Sequence, residues 1–210
     1  MESNERETVE RASRGDEQAL SDLLARHLPM LEAYFRLKTG PALLAHESVS
    51  DLVQSVCLDV LSELGGFEYR GEAEFRAWLV KHARSKLSER WRYWQRAKRA
   101  QDRVRFASDR SSGASLEELL ACFLTPSRNA IGKEELHRLE TALERLPEEM
   151  REAILLRRIV SLPYTEIAKI LGKNEGAVRN LVYRGTARVA LQLDPSPPEE
   201  ERSPPPDSGS

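Results

Sequence analysis

Cysteine is almost missing from this chain, with two in 210 residues. Cys57 and Cys122 lie far apart, and no Cys-x-x-Cys or paired Cys/His spacing occurs, which excludes a disulfide framework and a zinc site. Both read as small buried hydrophobes or idle thiols. Histidine is also scarce. His27, His46, His82 and His137 are too dispersed to suggest a ligand set, and His27, beside an apolar stripe, reads as a packed side chain. There is no Gly-rich phosphate loop and no plausible pairing of nucleophile and base, so no catalytic residue, metal or cofactor is expected and the chain does not read as an enzyme. No run approaches the roughly 18 apolar residues that span a bilayer, and the start Met1-Glu2-Ser3-Asn4-Glu5 is acidic where a signal peptide is basic and then apolar. A cytoplasmic protein without membrane insertion is expected.

Charge of one sign is lacking as well, since the formal net charge is only −2. That excludes a uniformly basic nucleic-acid binder but not a local basic surface, because the charges are segregated. From 84 to 105 the chain carries Arg84, Lys86, Arg90, Arg92, Arg96, Lys98, Arg99, Arg103 and Arg105 against Glu89 and Asp102. From 194 onward Asp194, Glu199, Glu200, Glu201 and Asp207 face only Arg202, among many prolines. The first block is an electrostatic footprint for phosphate, whereas the second cannot bury enough apolar surface to order itself.

What is present is helical periodicity, and the reading is all-α: two small helical domains joined by a flexible linker. Residues 1–15 are polar, without apolar period, and are expected to be disordered. A first domain spans 16–99. Asp16 caps a helix with Leu20, Leu23, Leu24, His27 and Leu28 on one side; Pro29 is expected to interrupt it, with a second piece carrying Leu31, Tyr34, Phe35 and Leu37. Ser48 opens the next helix, whose buried stripe is read as Val49, Leu52, Val53, Val56, Val60, Leu61 and Leu64, with Asp51, Gln54, Ser55, Asp59 and Glu63 on its other face. Gly65-Gly66 ends it. The loop Phe67 to Gly71 holds two aromatics, which either stack on unpaired bases or tuck beneath the loop. A long helix then runs to about Arg99, with Trp91, Tyr93 and Trp94 interleaved among its cations, a pattern that favours a nucleic-acid surface.

Residues 100–132 read as a linker, 133–193 as the second domain and 194–210 as a disordered acidic tail. In the second domain Leu136, Leu139, Leu143 and Leu146 form one helix, and Pro147 separates it from another. The segment from Pro163 to Leu193 follows. Ile167, Ala168, Ile170 and Leu171 show helical spacing, Gly172 closes the helix, and Asn174 can cap its successor. That successor keeps Ala177, Val178, Leu181, Val182 and Val189 largely on one side and Arg179, Asn180, Arg184 and Arg188 on the other, the pattern of a helix-turn-helix that offers guanidinium and amide groups to a major groove.

These residues together resemble the extracytoplasmic-function (ECF) group of the sigma-70 family. Region 2 is carried by Gly15-Asp16, Asp51-Leu52-Val53-Gln54-Ser55-Val56, Phe75-Arg76-Ala77-Trp78-Leu79 and Ala83-Arg84. Region 4 is carried by Leu146-Pro147, Arg151, Leu155, Glu166-Ile167-Ala168, Leu171-Gly172 and Gly176-Ala177-Val178-Arg179. The resemblance implies a subunit that directs core RNA polymerase to promoter DNA. Asp51, Leu52, Gln54 and Ser55 would dock on the β′ clamp helices. Phe67, Tyr69, Arg70, Trp78, Lys81, Arg84, Ser85, Lys86 and Arg90 would hold the −10 element and its melted strand. The second domain would sit on the β flap and place Asn174, Gly176, Ala177, Arg179, Asn180, Tyr183, Arg184 and Arg188 at the −35 element. An anti-sigma factor is an expected partner, and the free chain is expected to be monomeric. Ser85, Lys86, Ser88, Asn180, Leu181 and Tyr183 depart from the commonest residues of the group, which leaves the promoter sequence open. The alternative is a stand-alone helix-turn-helix regulator with an N-terminal dimerisation or sensing domain.

Overall fold

The computed structural model describes residues 2–100 and 133–193, so the linker and the acidic tail lie outside the described residues. All secondary structure among those residues is helical. The N-terminal half comprises α1 (Glu2–Ser13), α2 (Glu17–Lys38), the short α3 (Pro41–Leu44), α4 (Val49–Glu63), a 3-10 turn (Leu64–Gly66) and α5 (Glu72–Ala100). The C-terminal half comprises α6 (Lys133–Glu144), α7 (Glu148–Arg158), α8 (Tyr164–Leu171) and α9 (Glu175–Leu193).

Two sequence expectations need correction. Residues 2–13 form a helix, not a disordered start. Val9 and Ala12 are buried, and α1 packs on α2 and beside the 3-10 turn. Pro29 does not divide α2, which runs unbroken through it. Proline removes one backbone hydrogen bond, but Met30, Leu31, Ala33, Tyr34, Phe35 and Leu37 after it are all buried, so tertiary packing outweighs the local loss. Asp16 does cap α2, its Oδ1 accepting from the Ala19 amide at 3.0 Å.

The N-terminal core is made where α2, α4 and α5 meet. Leu31, Tyr34, Phe35, Leu52, Val56, Phe75 and Leu79 are buried almost completely. His27 belongs to this core, its ring 5.1 Å from that of Phe75 in an edge-on arrangement. Burial first, and then the positive charges of Arg76 and Arg26, push His27 from 6.5 down to about 4. The unfolded chain therefore takes up a proton near pH 6.5 that the folded chain refuses until about pH 4, so stability is lost as pH falls through that window. We expect a loss of about 2 kcal/mol between pH 7.5 and pH 5, visible as a lower urea midpoint, with His27→Leu flattening this slope. Equal slopes in the two proteins would refute the assignment.

In the C-terminal half α7 and α9 cross closely. A Cβ added at Gly185 would stand 2.6 Å from Ile154 Cδ1, so the absent side chain lets the two helices meet. The halves are joined by polar contacts. Tyr34 Oη donates to Glu152 Oε1 at 3.0 Å, Arg84 Nε lies 3.3 Å from the same oxygen, and the Lys38 ammonium pairs with Glu152 and Glu148. Arg36 pairs with Glu140, and Arg84 Nη1 donates to the Ile170 carbonyl at the end of α8 at 3.2 Å. Glu152 is only 3 % exposed. Burial, and then the Glu152 carboxylate, hold the Tyr34 hydroxyl protonated well above the usual phenol range.

Candidate nucleic-acid interface

The α8–α9 pair is a helix-turn-helix with a three-residue turn. Gly172 takes the left-handed conformation (φ 63°, ψ 36°), and the Lys173 amide donates back to the Ala168 carbonyl at 3.0 Å, closing α8. Asn174 Oδ1 accepts from the Ala177 amide at 2.8 Å and opens α9. Val178, Val182, Gly185 and Val189 are buried at steps of three and four, so Gly176, Arg179, Asn180, Tyr183 and Arg184 are turned outward as one stripe. Tyr183 is 77 % exposed, a large cost for a ring that meets nothing. Arg188 stands at the far end, its Nη1 3.7 Å from Met150 Sδ, so it leans toward α7.

The loop after α4 builds a second surface. Phe67 stacks on Trp78 (4.5 Å, 28°), and both lean on Phe75. With Ser62, Glu63, Gly66, Glu68, Arg70 and Glu74 these two rings line an open cavity of about 550 Å³. Tyr69 does not line it. Its ring is buried against Phe75 (6.3 Å), so of the two loop aromatics only Phe67 presents itself at the cavity. Lys81 and Ser85 continue outward from Trp78 along α5 and are exposed.

Three other cations expected to face DNA, Lys86, Arg90 and Arg84, are held within the molecule, while Arg92 and Arg96 farther along α5 are exposed. Lys86 pairs with Asp59 (2.9 Å) and Glu89 (3.4 Å), and hydrogen bonding to Asp59 holds its ammonium above the usual lysine range. Arg90 lies 3.5 Å from Glu47 and donates to Ser55 Oγ at 3.4 Å. Arg84 is committed to Glu152 and Ile170 as described. Trp94 is tied down too, stacked on His46 (4.4 Å, 19°) and donating to Glu47 Oε1, whereas Trp91 and Tyr93 are exposed.

The third surface is the outer side of α4. Ser48 and Asp51 bond reciprocally, the Asp51 amide to Ser48 Oγ (3.0 Å) and Ser48 Oγ to Asp51 Oδ2 (2.7 Å), which fixes the start of the helix. Asp51 and Gln54 are exposed, Ser55 is half-buried, and Leu52 is fully buried and offers nothing outward. Two apolar residues complete the face. Leu58 is 61 % and Leu61 39 % exposed, which corrects the placement of Leu61 in the buried stripe. Asp51, Gln54, Leu58 and Leu61 follow one another at three- and four-residue steps, and Leu58, off the buried stripe, was the sequence signal for this face.

Residues 136–189 match the family model described as sigma-70, region 4. The ECF RNA polymerase sigma factor SigD of Mycobacterium tuberculosis (strain ATCC 25618 / H37Rv) is 31% identical over 186 residues, covering 88% of this chain and 82% of that protein. The chain belongs to the ECF RNA polymerase sigma factors. The ECF RNA polymerase sigma-E factor of Escherichia coli (strain K12) is 28% identical over 192 residues, covering 89% of this sigma factor and 93% of that one. Among solved structures, CnrH in complex with the cytosolic domain of CnrY has a TM-score of 0.58 at 23% identity, covering 92% of this chain and 99% of CnrH. The sigma factor RpoE in complex with the anti-sigma factor NepR from Bartonella quintana has a TM-score of 0.59 at 23% identity, covering 82% and 95%. These two share the fold. The family match runs from Leu136 on α6 through α8 and the turn to Val189, four residues before the end of α9. A sigma factor is a transcription initiation factor, which agrees with three separate surfaces of different chemistry on one small chain. No helix among the described residues is long and apolar enough to cross a membrane, and none of their His, Cys, Asp and Glu side chains group to hold a metal.

Proposed function

We propose that this sigma factor divides promoter recognition between residues 16–99 and 133–193, acting in the cytoplasm as part of the polymerase holoenzyme. The exposed stripe of α9, with Arg179, Asn180, Tyr183 and Arg184, reads the −35 element in the major groove. The Phe67–Trp78 cavity takes an unpaired base of the −10 element, and Arg70 in its lining, with Lys81 and Ser85 exposed farther along α5, meets the displaced strand. The outer side of α4 (Asp51, Gln54, Leu58 and Leu61) docks on the β′ clamp helices, and the C-terminal half rests on the β flap. The protein supplies binding energy and no bond chemistry of its own, and an anti-sigma factor is its regulatory partner. The single observation that carries this reading is the outward stripe on α9, because a helix that buries valines on one side and exposes arginine, asparagine and tyrosine on the other is built for a groove. The stand-alone regulator gains nothing from the match over both halves.

The test uses purified core polymerase and a cognate promoter. Arg184→Ala is expected to lower discrimination at one −35 base pair by about 1–3 kcal/mol, the worth of one bidentate contact. Leu58→Asp and Asp51→Arg are expected to lose competition against the wild type for core while keeping full helicity. Wild-type competition by both α4 variants would remove the docking assignment. An unchanged −35 profile would remove the α9 assignment.

A further inference from the structure

One aromatic ring outside the exposed stripe of α9 touches its first arginine. Tyr164, the first residue of α8, holds the Arg179 guanidinium carbon 4.8 Å from its ring centroid. Arg157, from the end of α7, lies at the same distance from the same ring. Arg157 is itself fixed, because its Nη1 donates to the Leu162 carbonyl at 3.0 Å. On the other side Arg179 forms an ion pair with Glu175, one turn earlier on α9. A connected path therefore runs from the α7–α8 connection through Arg157, the Tyr164 ring and Arg179 to Glu175.

The Arg179 side chain is nonetheless 61% exposed, so it remains available to a partner. An arginine on an open helix face has several rotatable bonds to immobilise before it can present two N–H groups to one base, and that entropy opposes binding. A ring and a carboxylate that already hold the guanidinium lower the cost. We propose that Tyr164 is a positioning residue for promoter selectivity: it orients Arg179, and through Arg179 sets which base pair the upstream end of α9 reads. This rests on the −35 reading given above. Tyr164 itself does not touch DNA in this scheme. Glu175 assists in the free protein, and its carboxylate is the weaker partner once phosphates approach, since like charges then repel it while the neutral ring keeps its hold.

The experiment is transcription by the full chain with core polymerase from a library of promoters randomised across the upstream element, read as base preference at each position. Arg179→Ala identifies the position this arginine reads. Tyr164→Leu is expected to reduce preference at that same position by about 2- to 5-fold, the worth of an exposed cation–π contact, with the −10 preferences unmoved. Tyr164→Phe, which keeps the ring face, is expected to behave as the wild type, and Tyr164→Leu in the Arg179→Ala background to change nothing further. Thermal melting accompanies each variant. If Tyr164→Leu melts early, Tyr164→Met, unbranched and adaptable in packing, takes its place. Preference retained by the leucine or methionine variant at a position that Arg179→Ala flattens overturns the proposal and leaves the −35 reading intact. An Arg179→Ala variant that flattens no position overturns Arg179 as a reader, and the proposal falls with it.

Discussion

Replacing Phe75 by alanine is expected to remove about 3–5 kcal/mol of stability, the range for truncating a fully buried phenylalanine. Phe75 is 1 % exposed and four aromatic rings pack on it: His27 at 5.1 Å, Phe67 at 5.4 Å, Trp78 at 5.7 Å and Tyr69 at 6.3 Å. Phe67 and Trp78 are held by rings besides Phe75, so neither can swing in freely to fill the space. Trp78, for example, meets the His82 ring edge-on at 4.8 Å as well as stacking on Phe67. The loss has a functional side. Phe67 and Trp78 are the two aromatic walls of the 550 Å³ cavity, and with Phe75 gone they lose the surface that fixes their angle. Urea unfolding should show the stability loss, and promoter opening should fall further than core binding in conditions where the variant stays folded. Phe75→Leu should lose less of both, since most of the apolar volume remains. A Phe75→Ala protein with an unchanged urea midpoint would show that the cluster collapses without cost, and the cavity would then not depend on it.

Local chemistry made much of the fold legible. Gly172 and Asn174 state where α8 stops and α9 starts, and each structural role is carried by the residue itself: a left-handed backbone at one, a side-chain cap at the other. The outward residues of α9 were legible for the same reason, since helical period alone turns Val178 and Val182 in and Arg179, Asn180 and Tyr183 out. Helix α1 was not. Among its described side chains Val9 and Ala12 are the buried ones, too few apolar positions to show a period, and their burial comes from α2 and the 3-10 turn. Pro29 misled for a related reason, because proline acts on the local ladder while the helix is held by the buried residues that follow it. The basic helix was legible as a charge pattern but not as a surface. Whether Lys86 and Arg90 face solvent depends on Asp59, Glu47 and Ser55, and the spacing within α5 carries no information about those partners.

Glu152 shows the same limit most sharply, and its removal should have the second large effect. In the sequence it sits among Glu148, Glu149 and Arg151, where it looks like part of a solvated face; in the structure it is buried and carries the contact between the halves through Tyr34, Lys38 and Arg84. Glu152→Ala would take from the Lys38 ammonium, whose side chain is 14% exposed, the buried one of its two carboxylate partners and leave it Glu148. Leaving a buried charge wholly unpaired costs about 3–5 kcal/mol, and less than that is expected here because Lys38 keeps Glu148 and Arg84, 40% exposed, can turn toward water. The cost falls on a contact between two helical halves, so the expected result is separation and not unfolding. The radius of gyration should rise, amide exchange should quicken at the end of α2 and along α7, and helicity should hold. Tyr34→Phe removes one hydrogen bond while leaving the charges paired, and about 1 kcal/mol is expected. Unchanged compactness and exchange in Glu152→Ala would show that apolar packing alone holds the halves. The separation bears on promoter binding. Arg84 on α5 hydrogen-bonds to Ile170 at the end of α8, so the basic helix and the helix-turn-helix touch. Duplex DNA rises about 3.4 Å per base pair, so elements about 25 base pairs apart lie roughly 85 Å from one another and cannot both be read by surfaces in contact. On the proposed reading, the contact that Glu152 stabilises would have to open for the −10 and −35 surfaces to act on one duplex, which would free Arg84 for phosphate.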